Sequence, residues 1–178
     1  MSVEKEVVCR AAKGDGKAFA SLYEEYFDRI YRYLYLRLEN QSDAEDLTQE
    51  VFIKALEAIR GYRWRGLPFA SWLFRIAHNL MVDLIRKQGK VAQEAGEDIP
   101  AGSESDPAAI AERNLEVARL MDNMDRLSPA QKEVLSLRFG AGLSIAEVAR
   151  LLGKSPGTVK ALQYNGIVAL RKRLTGEG

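Results

Sequence analysis

Apolar residues recur along most of this chain at intervals of three and four, the spacing of one face of a helix. Phe19, Leu22, Tyr23, Tyr26 and Phe27 begin one such stripe, and Ile30, Tyr31, Leu34, Tyr35 and Leu38 continue it. A second stripe carries Leu47, Val51, Phe52, Ala55, Leu56 and Ile59. Ser42, followed by Asp43, Ala44 and Glu45, reads as its N-cap: a short polar side chain can satisfy free backbone N–H groups, and acids suit the positive end of the helix dipole. Gly61 ends that helix, and a loop rich in aromatic and basic residues runs to Pro68. A third helix is predicted from about Phe69 to Lys87, with Phe74 and Ile76 on its core side. No stretch alternates with period two for long enough to predict a strand.

The pattern breaks at Gly89. From there to Asp106 the chain holds Gly89, Gly96, Pro100, Gly102 and several acids, without a large apolar cluster. That composition predicts a flexible acidic linker. Helical spacing resumes at Pro107. Ala108 to Met124 reads as one helix. Ser128 and Pro129 start another, serine as cap and proline at the first helical position, and it ends near Gly140. Ser144, Ile145, Ala146 and Glu147 form a capping box. Ser155 and Pro156 start the last helix, which runs to about Leu174. The expectation is an all-α protein of two small helical domains, residues 1–88 and 107–178, joined by a linker over 89–106.

Composition changes this picture little. Of the 178 residues 47% are hydrophobic, enough for a core, and the net charge is only +1 because acids in the linker offset basic ends. Cys9 is the single cysteine, so no internal disulfide is possible. No apolar run approaches the roughly 20 residues that span a bilayer, and the acidic N-terminus lacks a signal-peptide core. A cytoplasmic protein without membrane insertion is expected. His78 is the single histidine, and there is no glycine-rich phosphate loop, metal-spaced cluster or nucleophile elbow. Neither catalysis nor a metal or cofactor is expected.

The chemistry lies elsewhere. Ala149, Gly153 and Val159 have helix-turn-helix spacing: a small residue lets two helices approach, glycine takes the left-handed turn, and an apolar residue seats the second helix. In such a unit the early residues of the second helix meet base edges in the major groove. Here these are Ser155, Gly157, Thr158, Lys160, Ala161 and Tyr164, while Val159, Leu162, Gly166 and Leu170 face inward. Arg171, Lys172 and Arg173 suit phosphates. A helical hairpin with a solvated basic tail is the plainer alternative.

In the first half, Tyr62, Arg63, Trp64, Arg65, Phe69, Trp72 and Arg75 interleave rings with guanidinium groups, as single-stranded nucleic acid binding requires. Asn79, Asp83 and Arg86 share one face of the helix that follows. Asp43, Glu45, Asp46, Gln49 and Glu50 make an acidic-polar face, which composition alone reads as solvated.

Four segments carry a resemblance. DAEDLTQEVFIKAL resembles region two-point-two of the sigma-seventy family, and PFASWLFRIAHNLMVDLIRK resembles regions two-point-three and two-point-four of its group-four, extracytoplasmic-function members. LSPAQKEVLSLRFGAGLSIAEVARLLGKSPGTVKAL resembles region four, and RAAKGDGKAFASLYEEY the usual opening. The resemblance implies an RNA polymerase sigma factor. Asp46, Gln49 and Glu50 would then bind the clamp helices of the beta-prime subunit. Arg63, Trp64, Arg65 and Phe69, with Asn79, Asp83 and Arg86, would melt and read the −10 element. The helix from Ser155, with Arg171, would read the −35 element. The linker would thread toward the RNA exit path beside the beta subunit, and an anti-sigma factor would hold the protein inactive. Asn165 and Gly166 depart from the family, which usually has an arginine and then an alanine or similar residue there; this puts −35 affinity in doubt. A stand-alone helix-turn-helix regulator and a sigma-like decoy are the competing readings.

Overall fold

The computed structural model describes residues 2–95, 123–124 and 126–176, and of these none forms a strand. The expected helix over Ala108 to Met124 and most of the expected linker lie outside the described residues. The first unit contains α1 (Val3–Ala12), α2 (Gly16–Leu38), α3 (Gln41–Ala58) and α4 (Phe69–Ala95), with a 3₁₀ turn at Ile59–Gly61. The second contains α5 (Pro129–Leu135), a π turn (Ser136–Gly140), α6 (Ile145–Leu152) and α7 (Pro156–Leu174).

Short polar side chains set most of the helix starts. Asp15 accepts from the Lys17 and Ala18 amides at the head of α2. The N-cap of α3 is Asn40, whose Oδ1 accepts from the Asp43 amide at 2.9 Å, and not Ser42 as the sequence suggested. The reason is the turn before it: Glu39, at φ 54°, ends α2 in the left-handed conformation and brings Asn40 into capping position. Ser128 and Ser144 each close a reciprocal capping box, with Gln131 and Glu147 respectively. α4 runs on through Gly89 to Ala95, so the expected linker does not begin at Gly89.

The core of the first unit is the expected stripe of α2 against α3 and α4. Leu22, Ile30, Leu34, Val51, Phe52, Leu73 and Phe74 are buried. On α2, Phe27, Tyr31 and Tyr35 stack at four-residue intervals, with centroids 6.5 and 5.8 Å apart. Leu56 leaves the predicted apolar face and is 55% exposed. The core continues into the second unit through Val134, Leu137, Ala141, Val148 and Val159. Leu36 of α2 packs among Met124, Leu127, Leu135 and Leu170. The two units are therefore docked, which the hydrophobic pattern did not address.

Candidate nucleic-acid interface

The helix-turn-helix forms as the spacing requires. Gly153 caps α6 at φ 64°, a conformation that costs glycine no steric strain. Ala149 and Val159 are buried at the contact of α6 with α7. Ser155 caps α7 by accepting from the Thr158 amide at 3.1 Å. Ser155, Gly157, Thr158, Lys160, Ala161, Tyr164 and Arg171 are all exposed, and they follow the outer side of α7. Tyr164 presents a large ring at 69% exposure. Arg171, Lys172 and Arg173 fill the last turn, where cations suit the helix dipole.

Gly166 has a structural role that the sequence hid. A Cβ there would lie 2.9 Å from Leu135 Cδ1 and 3.4 Å from its Cγ. The glycine lets α7 approach α5.

The aromatic and basic loop of the first unit divides into parts. Arg63 and Arg65 are exposed, and Trp64 is half-buried against the core. Phe69 is only 1% exposed and meets Tyr26, Tyr62 and Trp72, with centroids 5.6, 5.7 and 5.3 Å away. Its expected role as a stacking platform does not fit this burial; it is the floor on which Tyr62 and Trp72 rest, because it opens α4 facing the core. Asn79, Asp83 and Arg86 are exposed on α4, and Asp83 pairs with Arg86 at 3.6 Å.

Beside the loop lies a cleft of about 410 Å³ whose walls include Arg63, Arg65, Ser71, Trp72, Arg75 and Arg150. The Ser71 hydroxyl is buried and has no hydrogen-bond partner among the described residues. Rings, guanidinium groups and a free hydroxyl together suit a nucleotide. Ser71 and Arg150 were not foreseen: serine near a helix start reads as solvent-facing, and Arg150 comes from the other unit. On α3, Asp46, Gln49 and Glu50 are exposed in a row; Gln49 also donates to the Tyr23 hydroxyl at 3.4 Å. Ile53, 56% exposed on the same helix, is an apolar residue that the sequence did not single out.

His78 is not at the surface as a lone histidine often is. Its Nδ1 lies 3.0 Å from Glu133 Oε1 and 3.1 Å from the Tyr33 hydroxyl. Tyr33 donates to the same carboxylate oxygen at 2.6 Å, and Arg37 Nε pairs with Glu133 Oε2. A carboxylate only accepts, so Nδ1 is the protonated ring nitrogen in this cluster. Burial by itself pushes the Glu133 carboxyl up, but His78, Arg37 and Tyr33 together hold it below its ordinary 4.5. Among the described residues no group of three or more acidic, histidine or cysteine side chains could hold a metal ion. No described helix is long and apolar enough to cross a membrane.

Residues 22–91 match the family described as Sigma-70 region 2, and residues 124–172 match Sigma-70, region 4. The chain is 40% identical over 95% of its length to the ECF RNA polymerase sigma factor BldN of Streptomyces coelicolor. It is 36% identical, over 92% of its length, to SigE of Mycolicibacterium smegmatis. It spans 65% of the length of each of those two relatives. With SigW of Bacillus subtilis it shares 32% identity over 96% of both chains. In fold it resembles CnrH, solved in complex with the cytosolic domain of CnrY, at a TM-score of 0.76 and 24% identity over 99% of this chain and 100% of that one. It also resembles the sigma factor RpoE of Bartonella quintana, solved with the anti-sigma factor NepR, at a TM-score of 0.74 and 23% identity over 89% of this chain and 98% of that one.

Proposed function

Because this chain belongs to the extracytoplasmic-function sigma factors of the sigma-70 family, we propose that it binds core RNA polymerase and gives it promoter specificity. The observation that carries the reading is the pairing of two unlike nucleic-acid surfaces in one chain. α7 presents an exposed row from Ser155 to Arg171, suited to duplex. The cleft at Arg63, Trp72 and Arg75 suits an unstacked base. A repressor that reads only duplex has no use for the second.

In this reading α7 reads the −35 element through Ser155, Gly157, Thr158, Lys160, Ala161 and Tyr164, with Arg171 on phosphate. Arg63, Trp64 and Arg65, with Asn79, Asp83 and Arg86, open and read the −10 element. Asp46, Gln49 and Glu50 meet the beta-prime clamp helices, with Ile53 beside them. The two helical units are the working domains, and the chain between them passes near the beta subunit. The chain is a specificity subunit rather than an enzyme, and it works in the cytoplasm. An anti-sigma factor is the expected antagonist, as NepR is found with RpoE.

The test is run-off transcription with purified core polymerase on the source genome's promoters, with and without the chain. Discrete transcripts that require the chain are expected. Binding to core without transcripts would favour a decoy. Duplex binding without any binding to core would favour a stand-alone regulator.

A further inference from the structure

The cleft beside the aromatic loop carries more positive charge than one unpaired nucleotide can balance. Four of the side chains in its wall are guanidinium groups: Arg63, Arg65 and Arg75 of the first unit and Arg150 of α6. None of the residues lining it is acidic. Among the described residues no carboxylate pairs with any of the four. Arg63 makes a long hydrogen bond of 3.5 Å to the Tyr62 carbonyl, which is uncharged. Two other clefts of similar size, about 420 and 470 Å³, differ in this respect: each has Glu57 in its wall beside a cation.

Like charges gathered in a partly desolvated cleft raise one another's energy, and an anion removes that cost. Guanidinium groups bind phosphate through two parallel N–H donors to two oxygens. Four of them around one cleft therefore fit a ligand that brings several phosphate charges to one place.

The rest of the cleft fits the rest of such a ligand. Trp72 meets Tyr62 at 5.2 Å and Phe69 at 5.3 Å, so its ring is held in place before any ligand arrives. A ring fixed in this way offers a face to a base. The Ser71 hydroxyl is buried without a partner among the described residues. A buried hydroxyl left unpaired is unfavourable, and a base edge or a sugar hydroxyl would pair with it. The volume of about 410 Å³ lies in the range of small-molecule sites.

Charge density separates the two sources of a nucleotide. An unpaired strand spreads its phosphates along its length, one to each nucleotide. A free nucleoside di- or triphosphate gathers them at one end, beside its own base. We propose that the cleft binds a free nucleoside di- or triphosphate. Its base rests on Trp72, Ser71 pairs with the base or the sugar, and Arg63, Arg65, Arg75 and Arg150 hold the phosphates. This goes beyond promoter reading: it adds a soluble ligand to a surface so far assigned to the strand.

Titration calorimetry on the full chain tests the site. The probes are ATP and GTP, with AMP, tripolyphosphate and an unpaired thymidine oligonucleotide for comparison. Saturable binding of ATP or GTP is expected, about tenfold or more tighter than AMP and severalfold tighter than tripolyphosphate. Arg150→Ala should weaken the triphosphate about tenfold, whereas Arg32→Ala, at an exposed arginine outside the cleft, should not. Ser71→Ala should weaken ATP severalfold and leave tripolyphosphate unchanged. Helix content by circular dichroism should be the same in all three variants. No saturable binding of ATP or GTP at millimolar concentration would overturn the site, and so would undiminished binding in Arg150→Ala. Equal affinity for ATP and tripolyphosphate, unmoved by Ser71→Ala, would mark a general anion patch and overturn it too. Binding of the oligonucleotide alone would leave the cleft to the strand and refute the soluble ligand. The titration contains neither polymerase nor promoter, so the sigma-factor reading stands or falls separately, on run-off transcription.

Discussion

A glycine in the middle of a helix costs about 1 kcal/mol relative to alanine, so Gly166 taken alone looks like a defect of α7. Its neighbours reverse that judgement. Leu135, which an alanine methyl would strike, is buried among Leu36, Met124, Leu127 and Leu170. Overpacking costs about 1–3 kcal/mol, which outweighs the gain in propensity. Gly166→Ala is therefore expected to lower stability by about 1 kcal/mol in urea unfolding; a more stable variant would mean that Leu135 yields. Glu133 makes a second prediction through its charge. It is faced by Tyr33 and Arg37 from α2 and by His78 from α4. Its carboxyl is held below its ordinary 4.5 in the folded chain, so its stabilising effect is fully present above that value. The effect is lost as pH falls through the lowered value. The melting temperature of Glu133→Gln should thus lie a constant interval below that of the parent from neutral pH to about pH 5. The interval should close in more acid solution. An interval that widened with acid would show that the carboxylate is not what Tyr33, Arg37 and His78 hold.

At the scale of elements the sequence was largely legible, because caps and periodicity are local. The starts at Ser128, Ser144 and Ser155 are all found where the pattern put them. Ser144→Ala should cost about 1 kcal/mol, read as an earlier urea midpoint with unchanged slope, because its box with Glu147 fixes the entry to the helix-turn-helix. Misjudged positions have non-local causes. Asn40 displaced Ser42 as a cap because Glu39 takes a left-handed turn. Phe69 reads as a stacking ring, but the fold packs it onto Tyr26. Trp64 and Arg65 sit in the same loop and divide the work differently. Alanine at both should leave polymerase binding intact and slow promoter opening, followed by permanganate reactivity of unpaired thymines; loss of folding would make Trp64 a core residue.

At the scale of the molecule the two helical units were legible, but the contact between them was not. Glu133 and Tyr33 are 100 positions apart, and no periodicity announces a pair that lies across two units. The exposed row on α3 lies on another helix and is free in the docked form. Asp46→Arg should therefore abolish capture of core polymerase in a pull-down while duplex binding through α7, followed by fluorescence anisotropy, persists. Normal capture would move the polymerase surface elsewhere. The close approach at Gly140 has a further consequence, for how such a chain can drift. Its backbone is not left-handed, so local helix preference favours alanine there, and glycine codons reach alanine by one base change. Selection at this position would act against the very residue that a helix prefers, because a methyl group there would strike Leu36 and the Tyr33 backbone.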